Sequence, residues 1–171
     1  ALIDAGATLK YAWDANPDNL AAFLRRYPQA KAAKCEQEIL DDPETRMVAC
    51  AAIPCERSAL GIRVMRAGKD YFTDKAPFTT LEQITDARAA VHETGRHYWV
   101  YFSERLHNEA STLAQAMIEQ GQIGRVIHVE GLGPHKLGGP RPDWFYRKAQ
   151  YGGILCDIGS HQTEQFMIWA G

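Results

Sequence analysis

Residues 47–75 decide the fold class of this chain, and their sequence is MVACAAIPCERSALGIRVMRAGKDYFTDK. Its opening run, 47–53, is apolar without polar alternation, which is typical of a strand covered on both faces. Residues 59–67 then have the pattern of an amphipathic helix. Gly68 suits the left-handed position that ends a helix, and a second short apolar run follows at 69–74. A strand, a helix and a second strand joined by short turns predict a parallel βαβ unit.

The same order of helix, glycine and short β-rich run recurs along the chain. Glycines stand where further helices are expected to end, at Gly6, Gly95 and Gly121. We predict other strands at 8–14, 96–102 and 125–130, and other helices at 18–27, 80–93 and 108–120. Thr79 or Thr80 opens the helix at 80–93 with a capping-box pattern. This alternation predicts a doubly wound α/β domain with helices covering a parallel sheet.

Beyond residue 102 the pattern changes. The predicted strand at 125–130 is followed by a Gly/Pro-rich loop, 131–153, and a last helix begins near Leu155. Loops of this length in compact domains are usually functional lids or disordered segments, and the aromatic run at 144–146 argues against disorder. A complete second domain does not fit in the residues that remain.

The chain has 171 residues, 46% of them hydrophobic and 23% charged, which is typical of a globular protein. A net charge of −2 without a basic stripe argues against a nucleic-acid partner, and no apolar run approaches the length of a membrane span. The cysteines show no CxxC spacing, so we expect free thiols in a reducing, cytoplasmic compartment. The chain opens with ALIDAG, without Met or a visible signal peptide, and we expect it to begin within the fold.

Ligands bind beyond the carboxyl ends of the strands in an open parallel sheet. Asp14 ends the first predicted strand, where an acid hydrogen-bonds the ribose of a dinucleotide, and a cap on the next helix is an equal alternative. The phosphate-binding glycines would lie about 20 residues earlier, before the first residue given. Ala52, Ile53 and Pro54 end the next strand, where small side chains would let a flat ligand approach the backbone. Tight packing and a helix start explain them equally well.

Asp74 and Lys75 stand at the end of the apolar run 69–74. A lysine there would point its ammonium into the cleft, where it would bind a substrate oxygen or, with a lowered pKa, take part in proton transfer. A solvated lysine at a strand end is the alternative.

GGILCDIGSH, residues 152–161, places Asp157 and His161 on one face of a helix. Metal binding, acid–base chemistry and a structural contact all fit this spacing. Metal binding would need a third ligand and usually a fourth, and no other histidine has a recognisable spacing to the pair. Acid–base chemistry is favoured because histidine titrates near neutral pH and a nearby carboxylate can orient it.

These motifs together resemble those of the Gfo/Idh/MocA family, the glucose–fructose oxidoreductase and inositol dehydrogenase group. AGKDYFTDKAP, residues 67–77, is similar to the family's AG-K-x-x-x-x-EKP, and residues 152–161 are similar to its GG-x-x-x-D-x-x-x-H. Residues 123–126, IGRV, resemble the entry into its second domain. Asp74 replaces the family's glutamate, and the proline lies one position later, at Pro77. The glycine-rich loop and most of a second domain are missing, so we expect a part of a longer protein.

The resemblance implies a Rossmann domain at 1–103 that lacks its first strand, followed by the beginning of a C-terminal α/β domain at 104–171. It also implies hydride transfer between NAD(P) and a secondary alcohol or ketone of a small molecule such as a sugar or polyol, in a protein that forms homo-oligomers. Asp14 favours NAD over NADP, because an acid repels a ribose 2′-phosphate. A non-catalytic nucleotide-binding sensor is one alternative, and a metal-dependent hydrolase or lyase is another.

On this resemblance, His161 is the candidate general acid/base, Asp157 orients it or holds a substrate hydroxyl, and Lys75 places the reacting oxygen. The cofactor-binding candidates are Asp14, Ala52, Ile53, Pro54, Asp74 and Lys75. The candidates for substrate binding are Arg105, His135 and Trp144, because their segments are expected to reach the cleft. An ion pair for Arg105 and a packed loop anchor for Trp144 are the alternatives.

Overall fold

The computed structural model describes residues 2–133 and 135–171. Short strands alternate with helices in the first part of the chain, and helices follow. The strands are β1 Tyr11–Ala12, β2 Lys31–Ala32, β3 Met47–Cys50, β4 Asp70–Asp74 and β5 Tyr98–Tyr101. The helices are α1 Pro17–Arg26, α2 Glu36–Asp41, α3 Pro54–Arg66, α4 Leu81–Thr94, α5 Ser103–Leu106, α6 Glu109–Glu119, α7 Lys148–Tyr151, α8 Ile154–Asp157 and α9 Gly159–Ala170, with a 3₁₀ helix at Asp143–Tyr146.

The strands form two parallel groups, β1 with β2, and β3, β4 and β5 in that order. In the larger group, Val48 lies opposite Tyr71, which lies opposite Tyr98. A doubly wound dinucleotide-binding sheet has the strand order 3-2-1-4-5-6, and removing strand 1 leaves the groups 3-2 and 4-5-6. The structure has this arrangement. The predicted fold class, a Rossmann-type parallel sheet without its first strand, is therefore confirmed.

Ion pairs fix how the two groups of strands are oriented. Lys10 precedes β1, and its Nζ lies 2.6 Å from Asp42 Oδ2 and 2.5 Å from Glu44 Oε2, both in the connection that leads into β3. The amino ends of β1 and β3 therefore lie together. In a doubly wound sheet all strands are parallel, so the carboxyl ends of both groups are expected at the opposite edge, where ligands bind.

The core lies between α3, α4 and the larger strand group. Val64, Met65 and Tyr71 are fully buried at its centre, and Val64 and Met65 each contribute roughly 1.5–3 kcal/mol by leaving water. Gly61 lets α3 approach this sheet closely, since an added Cβ would lie 2.5 Å from Tyr98 Cε2. The helix therefore needs a residue without a side chain at this position.

The predicted limits of α4 are confirmed by its capping. Thr80 is the N-cap, and its side chain accepts a hydrogen bond from the Gln83 backbone N–H, while Gln83 Oε1 accepts from the Thr79 N–H. Gly95 ends the helix in the left-handed conformation, with φ of 65°. Both ends were readable from sequence because capping depends on neighbouring residues alone.

The strand predicted at 125–130 is wrong, since the described residues of that segment join no sheet. A strand forms only through hydrogen bonds to a neighbour, which an apolar pattern does not supply. β1 is also shorter than the predicted 8–14. The loop at 131–153 contains the 3₁₀ helix and α7.

Asp157 and His161 do not share one continuous helix. Asp157 is the last residue of α8, and His161 lies in the first turn of α9, with Ile158 between the two helices. The predicted single helix is therefore divided, and the two side chains have different surroundings. No helix in residues 2–133 and 135–171 is long and apolar enough to cross a membrane.

Candidate functional site

The centre of the candidate site is an ion pair between residues 82 apart in sequence, in which Lys75 Nζ donates to Asp157 Oδ1. Lys75 directly follows β4, and Asp157 ends α8. The side chains are only 18% and 20% exposed, so their attraction is screened less than that of a surface pair. Lys75 is therefore not the solvated lysine of the alternative interpretation.

Two glycines carry the chain from α7 to Asp157. Gly152 ends α7 with φ of 84°, and Gly153, with φ of 92°, precedes α8. An added Cβ at Gly152 would lie 3.0 Å from Thr79 Cγ2. The turn thus packs against the segment just beyond Lys75, which explains how the two halves of the pair meet.

Arg57 holds the loop that carries Lys75. This arginine is 6% exposed, and its Nη1 donates to the carbonyl oxygens of Asp74 at 2.9 Å, of Ala76 at 3.2 Å, and of Lys75. Its Nε donates to the carbonyl oxygen of Ala52 at 2.6 Å. A single buried guanidinium therefore ties together the carboxyl ends of β3 and β4. Sequence analysis missed this role, because no motif marks it.

His161 is the most buried polar side chain of the site, at 2% exposure. Its ring meets Phe102 edge-on at 5.9 Å, and burial lowers the pKa of the imidazole below its usual value. Nδ1 has no hydrogen-bond partner within the described residues. A neutral imidazole with a free ring nitrogen at pH 7 is the protonation state that a general base needs.

Glu104 lies between two histidines and was missed by sequence analysis. Its Oε1 is 3.1 Å from His135 Nε2 and 3.9 Å from His161 Nε2. His135 is further fixed by the Gly133 carbonyl oxygen, 2.9 Å from Nδ1, and this contact, followed by the charge of Glu104, raises the pKa of His135. The available signal was its position directly beyond a strand, since Glu104 follows β5 closely.

A cavity of about 560 Å³ opens beside Glu104 and His135. Polar side chains from α5, α6 and α9 and the glycine-rich loop line it, including Ser103, Ser111 and Gln162. The structure thus places the predicted substrate residue His135 next to the candidate acid/base, at the mouth of a polar cavity.

Tyr151 is a second residue that the motifs did not indicate. Burial and then the negative charge of Asp157 raise the pKa of its hydroxyl. The tyrosine therefore stays protonated at neutral pH and faces the carboxylate that pairs with Lys75.

The predicted cofactor residues lie where strands end. Asp14 is exposed two residues beyond β1, and its Oδ1 accepts from the Asn16 N–H at 2.7 Å. Asn16, not Asp14, caps α1, so the capping alternative for Asp14 is wrong. The other carboxylate oxygen has only a 3.5 Å contact from Asn19 Nδ2, which leaves it available to accept from hydroxyl groups.

Ala52, Ile53 and Pro54 join β3 to α3, and Pro54 is the first residue of that helix. Asp74 ends β4, where its carbonyl oxygen accepts from Arg57. Like Asp14, which follows β1, these residues lie at or just beyond the carboxyl ends of strands. Their role in cofactor binding stays a prediction.

Arg105 and Trp144 are less free to reach a substrate. Arg105 Nε lies 2.7 Å from Glu164 Oε1, and Nη1 donates to Gln115 at 2.9 Å, in a partly buried ion pair that joins α5, α6 and α9. This is the ion pair that the alternative interpretation predicted. Trp144 lies half-buried in the 3₁₀ helix and packs edge-on against Phe145. Both substrate assignments stay predictions.

Within residues 2–133 and 135–171, no group of three His, Cys, Asp or Glu side chains is placed to hold a metal ion. The four cysteines, Cys35, Cys50, Cys55 and Cys156, are free thiols.

Comparison with known proteins agrees with this architecture. Residues 112–171 match the model of the GFO/IDH/MocA C-terminal domain. The levoglucosan dehydrogenase of Pseudarthrobacter phenanthrenivorans is 29% identical over 162 residues, which are 92% of this chain and 41% of that protein. The scyllo-inositol 2-dehydrogenase (NAD(+)) of Bacillus subtilis is 29% identical over 127 residues, which are 74% of this chain and 36% of that protein.

Solved structures show the same likeness. A crystal structure from Erwinia carotovora atroseptica SCRI1043 superposes with a TM-score of 0.95 at 48% identity, over 99% of this chain and 51% of that one. Levoglucosan dehydrogenase in complex with NADH and L-sorbose superposes with a TM-score of 0.77 at 25% identity, over 95% of this chain and 44% of that one. The chain thus spans about half, or less, of each protein that it matches.

The fold and the site define the class of protein to which the chain belongs, a Rossmann-type α/β protein with a Lys/Asp/His cluster at the carboxyl edge of its sheet. The match of residues 112–171 to the GFO/IDH/MocA C-terminal domain, together with the dehydrogenases that the chain resembles, agrees with the likeness of its motifs to those of the Gfo/Idh/MocA family. The domain limits of 1–103 and 104–171 stay a prediction.

Proposed function

We propose that the protein to which this chain belongs transfers a hydride between a nicotinamide dinucleotide and a secondary alcohol or ketone of a sugar or polyol. The observation that carries the proposal is the Lys75–Asp157 pair with His161 buried beside it. A shielded cation to hold an oxygen and a neutral imidazole to accept its proton are the two groups that alcohol oxidation demands of a protein. The redox step itself belongs to the nicotinamide cofactor.

The residues of the sheet edge fit such a cofactor. The exposed carboxylate of Asp14 is suited to ribose hydroxyls, and its charge favours NAD over NADP. The short side chain of Ala52 leaves the backbone between β3 and α3 open to a flat ring. Asp74 and Lys75 would lie beside the reactive end of the dinucleotide. The names of relatives support NAD, since one is an NAD(+) enzyme and another was solved with NADH.

Each catalytic side chain has a defined task in this proposal. Lys75 holds the hydroxyl oxygen and stabilises the charge that develops on it. Asp157 holds the lysine ammonium in position, through the pair between the residue after β4 and the end of α8. His161 accepts the hydroxyl proton during oxidation and returns it during reduction. His135 lines the polar cavity, which supports a role in substrate binding once one of its contacts with Gly133 and Glu104 is exchanged for a substrate hydroxyl.

The nature of the relatives supports a carbohydrate-type substrate, because two of them are named for levoglucosan and scyllo-inositol. We propose a homo-oligomeric, cytoplasmic protein with neither nucleic acid nor membrane as partner. The net charge of −2 supports the expectation of no nucleic-acid partner, and the free cysteines support a reducing compartment.

The test is NADH formation by the intact protein with NAD and a panel of sugars and polyols that includes levoglucosan and scyllo-inositol. We expect turnover with at least one of them, and His161→Ala should lower it by roughly 10²- to 10⁴-fold. His92→Ala, which changes an exposed histidine of α4, is the control and should leave turnover unchanged. Cofactor binding without turnover on any substrate would favour the sensor alternative instead.

A further inference from the structure

Asp157, the carboxylate that shares a sequence motif with His161, is not its nearest carboxylate partner in space. Asp157 Oδ1 accepts from Lys75 Nζ, and the break at Ile158 separates α8 from α9. Glu104 Oε1 approaches His161 instead, at 3.9 Å from Nε2. The assignment of Asp157 as the group that orients the imidazole therefore has a competitor from α5.

The two ring nitrogens of His161 are in different surroundings. Nε2 faces the Glu104 carboxylate, whereas Nδ1 is buried and without a hydrogen-bond partner among the described residues. Because opposite charges attract, the nearby Glu104 carboxylate favours the protonated, imidazolium form of the ring.

Glu104 is itself held in place. His135 Nε2 lies 3.1 Å from the same Glu104 oxygen, and His135 is fixed through its other nitrogen by the Gly133 carbonyl oxygen. The separation of 3.9 Å from His161 is longer than a hydrogen bond, so in this state the carboxylate acts through its charge. Such contacts are often long without substrate and shorten when it binds.

We propose that Glu104 is the positioning residue for His161, its carboxylate orienting the ring and stabilising the charge that forms when His161 accepts the substrate proton, while Asp157 serves Lys75. This inference rests on the proposed function. In oxidation, the substrate C–H bond breaks as hydride leaves for the nicotinamide, the O–H proton passes to His161, and a C=O bond forms. The resulting imidazolium is stabilised by the negative charge of Glu104 until its proton leaves to water.

Other charges also face His161 and must be considered in any pH profile. The Lys75 ammonium, at the end of β4, opposes protonation of the imidazole, whereas nearby carboxylates favour it. Those carboxylates are Asp74 of β4, Glu104 of α5 and Asp157 of α8. Burial affects the His161 pKa most, and Glu104 affects it most among the surrounding charges. Removing the Glu104 charge should therefore change this pKa more than removing any other single charge.

The experiment uses the intact protein and follows the His161 pKa by NMR of labelled histidine, together with the pH dependence of kcat/KM. In Glu104→Gln we expect the His161 pKa to fall by about one pH unit, with the acid limb of kcat/KM for oxidation moving to lower pH by the same amount. We expect kcat near neutral pH to fall about 10-fold, because the base is weaker and less well oriented. Glu104→Asp keeps the charge and should leave the His161 pKa within a few tenths of the wild-type value.

Glu109→Gln, an exposed carboxylate of the neighbouring α6, is the control and should move neither quantity. A His161 pKa that is equal in Glu104→Gln and wild type would overturn the inference. A kcat loss in Glu104→Gln without any shift of the acid limb would overturn it too, since that is the result of a purely structural role. If wild type shows no turnover on any substrate, the proposed function fails, and the NMR titration still decides whether Glu104 acts on His161.

Discussion

Asp157 and His161 are close in sequence, yet their side chains lie in different surroundings in the folded chain. Asp157 pairs with Lys75, whereas His161 lies 2% exposed with a lowered pKa and is neutral at pH 7. Residue type alone did not decide these states. The break between α8 and α9 did, because it lets one side chain face β4 and the other face Phe102 and α5.

The lowered pKa of His161 makes a prediction about stability against pH. Below a pH of about 6.5 the unfolded chain binds a proton at this residue and the folded chain does not, so the free energy of unfolding decreases as the pH falls further. The loss ends once the pH passes below the folded pKa. Chemical denaturation of the intact protein from pH 8 to pH 5 should show this decline, and His161→Gln should flatten it.

His135→Gln provides the matched control for that measurement. The pKa of His135 is raised, so its stabilising contribution is complete below the unfolded pKa and is lost as the pH rises through the folded one. Removing it should leave the decline on the acid side in place. An equally steep acid decline in wild type and His161→Gln would show that another group causes it.

The motif residues of the site were predictable from sequence, whereas their supports were not. Lys75, Asp157 and His161 stand in two short patterns whose spacing survives in the sequence. Glu104 and Arg57 act through contacts with distant segments, such as the Ala76 carbonyl that lies 19 residues from Arg57. No local pattern records such contacts, because they exist only once the strands are aligned.

At the scale of elements, the site depends on β3 and β4 ending together, and Arg57 of α3 maintains this. Arg57→Met should lower the free energy of unfolding by about 3 kcal/mol, because several carbonyl oxygens would lose a buried donor. Arg57→Lys should recover only part of the loss, since an ammonium cannot reproduce the planar fork. Denaturant titration measures both values.

Arg63→Met is the matched control from the same helix. Arg63 forms an exposed ion pair with Glu36 at 2.9 Å, of a kind that contributes about 0–1 kcal/mol. If Arg57→Met and Arg63→Met were equally stable, the buried arginine would not be the support that its hydrogen bonds indicate.

The helices could be predicted better than the strands, for physical reasons. α4 carries its start and stop signals in its own residues, Thr80 and Gly95. Residues 125–130 have a strand-like pattern, but a strand also needs a neighbour, and sequence pattern alone does not reveal one. The break at Ile158 was equally hidden, since Ile158 itself has helical dihedral angles of −92° and −45°.

Across the whole molecule, the two strand groups are linked at their amino ends by Lys10. Asp42 and Glu44 both face the Lys10 ammonium. The hydrogen bond from Lys10 is the main cause that lowers the pKa of Asp42 to about 2. Lys10→Met should lower the melting temperature slightly at low ionic strength, and the difference should shrink in high salt. Lys148→Met, at an exposed position in α7, should show no such salt dependence. A Lys10→Met deficit that is unchanged by salt would contradict an electrostatic link.

The division of the sheet has a practical consequence for anyone who purifies this chain by itself. β1 and β3 pair with only one neighbour each in the described residues, so each presents a row of backbone donors and acceptors along its other edge. Open strand edges act as templates on which further chains can add. Concentrated stocks of the 171-residue chain should therefore scatter more light with time than dilute ones. Handling it dilute, and at a pH well away from its isoelectric point of about 6.3, would slow that self-association.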